Sequence, residues 1–264
     1  MFDKFSLLNY HDKNIKFYVS NKTTTARVKK IWRKEPITIE WMNNIKKDDI
    51  VIDIGANIGM YTLMSGVGRE AIVYGFEPEA SNYHLLVKNI KLNSMSNRIK
   101  TYCAGVLDYD GFSDLNIDDE VEDTLGGSNY SVDEEVGFDL QPMKVGYKQG
   151  INVVMLDTFC KQMNITPDHI KIDVDGLEHR VINGGLDSIQ QAKTVIIELN
   201  LNLKEHNDAV AKMKSLGFNL DNQQIQILTH KSKTGSNKHK KYKNKSSGLG
   251  PIWALMGPYG PLLK

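Results

Sequence analysis

A chain of 264 residues with 41% apolar and 25% charged side chains has the composition of a folded α/β protein. It is long enough for one large domain with additions, or for one domain plus a small second one. The formal net charge of +1 argues against a chain whose whole surface binds polyanions. The cysteines, Cys103 and Cys160, lack metal-ligand spacing and suit a reducing compartment. The polar residues Asp3, Lys4, His11, Asp12 and Lys13 do not fit a signal peptide, and no run reaches the ~18–20 apolar residues of a membrane span. A soluble, cytoplasmic protein is expected.

Residues 1–49 are mixed and polar. Glu35-Pro36 followed by Ile37, Ile39, Trp41, Met42 and Ile45 predicts a turn leading into a short amphipathic helix, with Pro36 in its first turn. From Ile50 the pattern alternates. Ile50, Val51, Ile52 and Ile54 around Asp53 read as a buried parallel strand, and Gly55 and Gly59 bracket a tight turn into the apolar stretch Ile58 to Val67. Ala71 to Phe76 is a second strand, ending in Glu77. After Pro78, a helix shows Tyr83, Leu86, Val87 and Ile90 on one face. Ile99 to Cys103 is a third strand.

Residues 105–150 hold several glycines and many acids but no helical stripe, and read as an inserted set of short strands and loops. Ile151 to Leu156 is a strand and Asp157 to Met163 a helical turn or two. His169 to Asp175 is a strand, followed by a helix with Val181, Ile182, Leu186 and Ile189 on one face, dented at Gly184-Gly185. Thr194 to Leu199 is the next strand, 203–216 a helix, and Phe218 to Leu228 one or two strands. Lys231 to Lys245 carries seven lysines and reads as a basic loop (231–247), and Ile252 to Met256 is a last strand. The alternation predicts an α/β fold with a doubly wound, mostly parallel Rossmann-like sheet and a small β-rich insertion between strands 3 and 4.

Strand, glycine turn, helix, strand and terminal acid form a grip for an adenosine-containing cofactor, the acid taking the ribose hydroxyls. A dinucleotide loop needs G-x-G-x-x-G. Counting from Gly55, the later glycine positions are Asn57 and Met60. S-adenosylmethionine has no phosphates, and Asp-x-Gly-Ala-Asn-x-Gly meets its needs; the plainer alternative is a flavodoxin-like sheet with a merely tight turn. In an open α/β sheet the ligand lies beyond the carboxyl ends of the strands. Those ends supply Asp53, Glu77, Asp173, Asp175, Glu178, Glu198 and Asn200. Buried acids without partners are costly, so their crowding at one rim exceeds what packing needs. Capping of the next helix by Asp173 is the bland alternative, and it leaves Asp175 and Glu178 unexplained.

Asp53-Ile-Gly-Ala-Asn-Ile-Gly, Phe76-Glu77-Pro78 and Lys171-Ile-Asp-Val-Asp-Gly-Leu-Glu178 resemble, in that order, the FkbM family of methyltransferases over roughly residues 35–230. A late hairpin-like pair of strands after the fifth βα unit suits the seven-stranded methyltransferase variant of the sheet in residues 50–264, and 1–49 is expected as an N-terminal segment covering the cofactor site. The resemblance implies S-adenosylmethionine as cofactor and O-methylation of a sugar or secondary-metabolite hydroxyl. Carried over by position, Asp53, Gly55, Ala56, Asn57, Gly59 and Tyr61 would lie at the methionine half. Glu77 would bind the ribose, Pro78 and Ala104 would wall the adenine, and Asp173, Asp175 and Glu178 would line the methyl-transfer site. The family usually carries Glu where this chain has Asp175, which shortens that acid's reach.

Transfer to a hydroxyl requires an aligned acceptor oxygen about 3 Å from the methyl carbon, and a general base adds ~10²–10⁴-fold. Asp173 or Asp175 is the first candidate base and His179 a second, against a plain surface role for that histidine. Gly126 to Tyr130 is a candidate substrate lid. No metal site is assigned; Mg²⁺ held by Asp173, Glu198 and Asn200 is the metal-assisted variant. The expected partner is a small-molecule or glycan acceptor, with an anionic one compatible with the basic loop. Nucleic acid is the rival partner, but only Tyr242 interleaves the lysine run. A binding protein that has lost catalysis is a further alternative. The sequence leaves oligomeric state open.

Overall fold

A computed structural model describes residues 5–118, 125–127, 130–137, 140–220 and the backbone of 252–258. The chain opens with an antiparallel hairpin, β1 (Phe5–Tyr10) and β2 (Lys13–Tyr18). Its turn residues His11 and Asp12 both take left-handed φ, 48° and 57°, as a two-residue hairpin turn requires. α1 (Lys22–Lys34) starts at a capping box: Asn21 Oδ1 accepts from the Thr24 amide while Thr24 Oγ1 accepts from the Asn21 amide. Pro36 then stops α1 and starts α2 (Pro36–Asn43), the helix expected there. The hairpin and the 13-residue α1 are additions to the sequence reading.

β3 (Ile50–Ile54) leads through the glycine loop into α3 (Met60–Leu63), which widens into a π-helical turn at Met64–Gly68. β4 (Ile72–Phe76), α4 (Ala80–Leu92) and β5 (Ile99–Tyr102) follow. A separate sheet comes next, built from β6 (Ala104–Leu107), β7 (Gly111–Asp118), β8 (Tyr130–Val132) and β9 (Val145–Met155), in the order β6-β9-β7-β8. The chain returns to the central sheet through α5 (Leu156–Met163), β10 (His169–Ile172), α6 (Glu178–Asn183), α7 (Leu186–Gln191) and β11 (Thr194–Leu199). α8 (Lys204–Ser215), β12 (Phe218–Leu220) and β13 (Ile252–Pro258) complete the described chain.

The central sheet runs β12-β13-β11-β10-β3-β4-β5 and is mainly parallel, with β13 antiparallel to both β11 and β12. Its strand order reverses at β3, so the crevice between the ends of β3 and β10 is the switch point where ligands of open α/β sheets bind. One face packs Ile52, Ile54, Phe76, Ile170, Ile172 and Ile197 against α5 to α8 and the smaller sheet. The other packs Val51, Val73 and Ile196 against Trp41, Met42, Ile58 and the hairpin. Trp41 ties α2 to the sheet, donating Nε1–H to Thr194 Oγ1 at 2.8 Å.

Several expected elements are redrawn. The strand expected at Ile151–Leu156 is the end of the longer β9, and it pairs in the small sheet. The strand expected over 169–175 stops at Ile172, because Asp175 takes a left-handed φ of 53° that no strand accommodates. The expected helix across Gly184-Gly185 is two helices: Gly185 leaves the helical region at φ −136° and ψ 25°, and position 184 must be glycine because a Cβ there would lie 1.9 Å from the Leu107 carbonyl oxygen. Residues 221–228, expected to continue β12, and the basic loop 231–247 lie outside the described residues.

Candidate active site

The glycine loop is shaped by left-handed residues: Gly55, Asn57 and Gly59 have φ of 78°, 50° and 89°. A Cβ at Gly55 would lie 1.8 Å from the Asp173 carbonyl oxygen, so glycine there lets the loop press on the end of β10. Asn57 suits its left-handed position because Oδ1 accepts from the next amide, and Nδ2 donates to Gly127 O at 2.7 Å.

Glu77 is fully buried at the end of β4. Its carboxylate accepts from the amides of Asn57 (2.8 Å) and Glu79 (3.0 Å) and from the Tyr130 hydroxyl (2.7 Å). Burial pushes its pKa up to about 7, despite three donors that favour the anion and with Glu79 adding repulsion.

Across the crevice lies a charged row. Lys171 faces Asp53 in the β10–β3 register and is 1% exposed. Its Nζ stands 3.4 Å from Asp53 Oδ1 and 3.3 Å from Asp173 Oδ2. Burial opposes its charge, but the two carboxylates outweigh it and raise the pKa to about 12. Burial likewise opposes ionisation of Asp173; Lys171 and a hydrogen bond from Glu198 reverse the balance and hold it below the usual carboxylate range. Burial, with Asp173 nearby, pushes both Asp175 and Glu198 well above that range. The rim thus pairs one fixed anion with neighbouring acids that favour the neutral form.

Two cavities among the described residues meet at this row. The first is lined by Pro78, Ala104, Tyr130, Asp175, Gly55 and Asp173. The second is lined by Arg27, Glu35, Asn57, Tyr61, Gly55 and Asp173. Gly55 and Asp173 belong to both. Most of the expected site residues are therefore brought together: Gly55, Asp173, Asp175, Pro78 and Ala104 around one cavity, Ala56, Asn57 and Tyr61 around the other. Glu77 sits behind the first through Tyr130.

Three expected site residues stand apart and shape the site from behind. Asp53 is turned into the protein, accepting from Thr62 Oγ1 at 2.6 Å. Gly59 makes room for Leu86, whose Cδ1 would lie 2.4 Å from a Cβ there. Glu178 folds back on its own loop: Oε1 accepts from the Val174 amide at 3.0 Å, Oε2 from the Gly176 amide at 3.1 Å, and Oε2 pairs with His206 Nε2 at 3.1 Å. His179 lines neither cavity, and burial lowers its pKa. Asn200 Oδ1 is engaged by the Asn202 amide and side chain. Among the described residues no group of three His, Cys, Asp or Glu is placed to hold a metal ion.

Arg27, Glu35 and Asn82 border the site without any motif in the sequence that marks them. Asn82 is buried on α4, accepting from the Gly126 amide at 2.7 Å and donating to Gly127 O at 3.1 Å. Glu35-Pro36 at a helix junction was the one available signal.

This combination of a switch-point crevice, a glycine loop and a strand-end acid defines a cofactor-binding α/β enzyme of the Rossmann-like type. The sequence matches the Methyltransferase FkbM domain family over residues 53–220, and the chain belongs to that family. It is an S-adenosylmethionine-dependent methyltransferase. No curated protein matches the sequence. Among solved structures it is similar to precorrin-6y C5,15-methyltransferase from Geobacter metallireducens GS-15, with 11% identity, 91% of this chain and 93% of that one covered, and a TM-score of 0.43. TYW2 from M. jannaschii in complex with AdoMet shares 14% identity, with 97% and 87% covered and a TM-score of 0.39. An rRNA methylase from Streptococcus thermophilus shares 9%, with 83% and 92% covered and a TM-score of 0.43. The assignment to a class rests on the family match.

Proposed function

We propose that this chain transfers a methyl group from S-adenosylmethionine to a hydroxyl oxygen of a sugar or glycan. The observation that carries the cofactor's placement is the pair of cavities sharing Gly55 and Asp173. A molecule with an adenosine end and an amino-acid end needs two pockets joined at a waist. The cofactor supplies a methyl group already activated on a sulfonium. Glu77 would hold the ribose, Pro78 and Ala104 would wall the adenine, and Asn57 and Tyr61 would border the methionine half. The junction of α1 and α2 lines the second cavity, which supports residues 1–49 as its cover.

At the waist, the Asp173 carboxylate is kept ionised by Lys171 and offers a counter-charge to a cation. Asp175, on the wall of the first cavity beside Asp173, is the candidate proton acceptor: burial and Asp173 raise its pKa, which makes its ionised form a stronger base than an ordinary carboxylate. Its left-handed backbone brings it out of the strand line and onto the cavity wall. A hydroxyl acceptor is the class that needs such a base.

Calorimetry with S-adenosylhomocysteine tests the cofactor, and absence of binding overturns the reading. Asp175→Asn is expected to keep that binding within about threefold and to lower methyl transfer by ~10²–10⁴-fold. A screen with labelled cofactor over sugar nucleotides and lipid-linked glycans tests the acceptor. Transfer only to amines or to nucleic acid would replace the hydroxyl reading.

A further inference from the structure

The second cavity contains a carboxylate whose surroundings are unusual. Glu35 is 8% exposed, and its Oε2 is buried with no hydrogen-bond partner among the described residues. Its Oε1 stands 3.5 Å from the exposed Lys34 ammonium. Backbone geometry fixes it there: Glu35 both ends α1 and begins α2, and Pro36 locks the next φ. An unpaired buried carboxylate oxygen costs stability unless a ligand satisfies it.

Arg27 lines the same cavity from α1, two turns earlier. Its Nε donates to the Gly126 carbonyl oxygen, which anchors the side chain at the cavity wall and leaves the terminal guanidinium nitrogens as further donors. The cavity presents the Arg27 guanidinium, the Lys34 ammonium and a carboxylate with one unsatisfied oxygen, a set complementary to a zwitterion. Arg offers a planar donor fork to a carboxylate, and Glu35 an acceptor to an ammonium. Both residues lie outside the segment matched to the family, 53–220.

Resting on the cofactor placement above, we propose that Arg27 and Glu35 form the subsite for the cofactor's amino-acid end, Arg27 binding its carboxylate and Glu35 its α-ammonium. Asp173 at the waist separates this subsite from the adenosine cavity.

The test compares two ligands by calorimetry: S-adenosylhomocysteine, and 5′-methylthioadenosine, which lacks the amino-acid end. Arg27→Met and Glu35→Gln are each expected to weaken S-adenosylhomocysteine binding at least tenfold and to leave 5′-methylthioadenosine within twofold of the parent protein. Lys30→Met, exposed on the same helix and outside the cavity lining, should leave both unchanged. S-adenosylhomocysteine affinity within twofold in both variants overturns the proposal while the cofactor placement stands. Equal losses for both ligands overturn it too, since they signal structural damage, which far-UV circular dichroism would register. Lys34 also lines the cavity, so a loss in Lys34→Met with none in Arg27→Met overturns the assignment to Arg27. Failure of the parent protein to bind either ligand removes the cofactor placement itself, and this subsite with it.

Discussion

Glu77 shows how burial and hydrogen bonding compete at a single side chain. Three donors favour its anion, yet full burial pushes the pKa to about 7. The ordinary glutamate value is near 4.5. A group raised on folding contributes stability that is fully present below its unfolded pKa and lost as pH rises through the folded one. Thermal unfolding followed from pH 4.5 to 8 should therefore show stability declining across that window. Glu77→Gln, an isostere that cannot ionise, should flatten the decline. Glu79 and Tyr130 face the same carboxylate and remain in that variant, so a slope unchanged by the substitution would count against the assignment. His206, whose pKa is raised by Glu178 against the effect of burial, adds a decline of the same sign above its ordinary value near 6.5.

The loop between β10 and α6 illustrates an element held by one inward-turned acid. Glu178 satisfies the amides of Val174 and Gly176 and pairs with His206, which in turn stands 3.0 Å from Gly176 O and accepts from the Asn200 amide. Glu178→Ala removes the acceptor of both amides and the carboxylate beside the buried His206. A destabilisation of ~3–5 kcal/mol is expected by denaturant unfolding, typical of breaking a buried pair. Glu178→Gln, which keeps an acceptor for the amides, should cost less. A loss of methyl transfer in the Gln variant without loss of stability would return Glu178 to the reaction itself. The sequence could not settle this. Asp173, Asp175 and Glu178 look alike in a row of acids, and only the left-handed turn at Asp175 and the short helix after it decide which point outward.

At the scale of the whole molecule, local periodicity explains what was legible. β3, the glycine loop, β4 and Glu77 lie within one βαβ stretch whose apolar spacing, glycines and terminal acid are all written nearby. The parallel order of the central sheet follows from the same alternation. The redrawn parts depend on partners far along the chain. β9 pairs outside the central sheet, with β6 and β7, and α6 ends where Gly184 packs against the distant Leu107. Arg27 is one of several cations on an amphipathic helix, and nothing within α1 marks it as the one that reaches Gly126.

The short stretch Leu125–Gly127 is fastened by Asn21, Arg27, Asn57 and Asn82, at separations of 104, 99, 70 and 45 residues. Such contacts repay their loop-closure entropy only after the segments between them have condensed. Refolding from denaturant should then restore the far-UV helical signal before it restores S-adenosylhomocysteine binding, a lag that stopped-flow measurements would resolve. Simultaneous recovery would mean that these long closures form with the folding nucleus. The chain would thus pass through a stage at which it is already a folded sheet and not yet an enzyme.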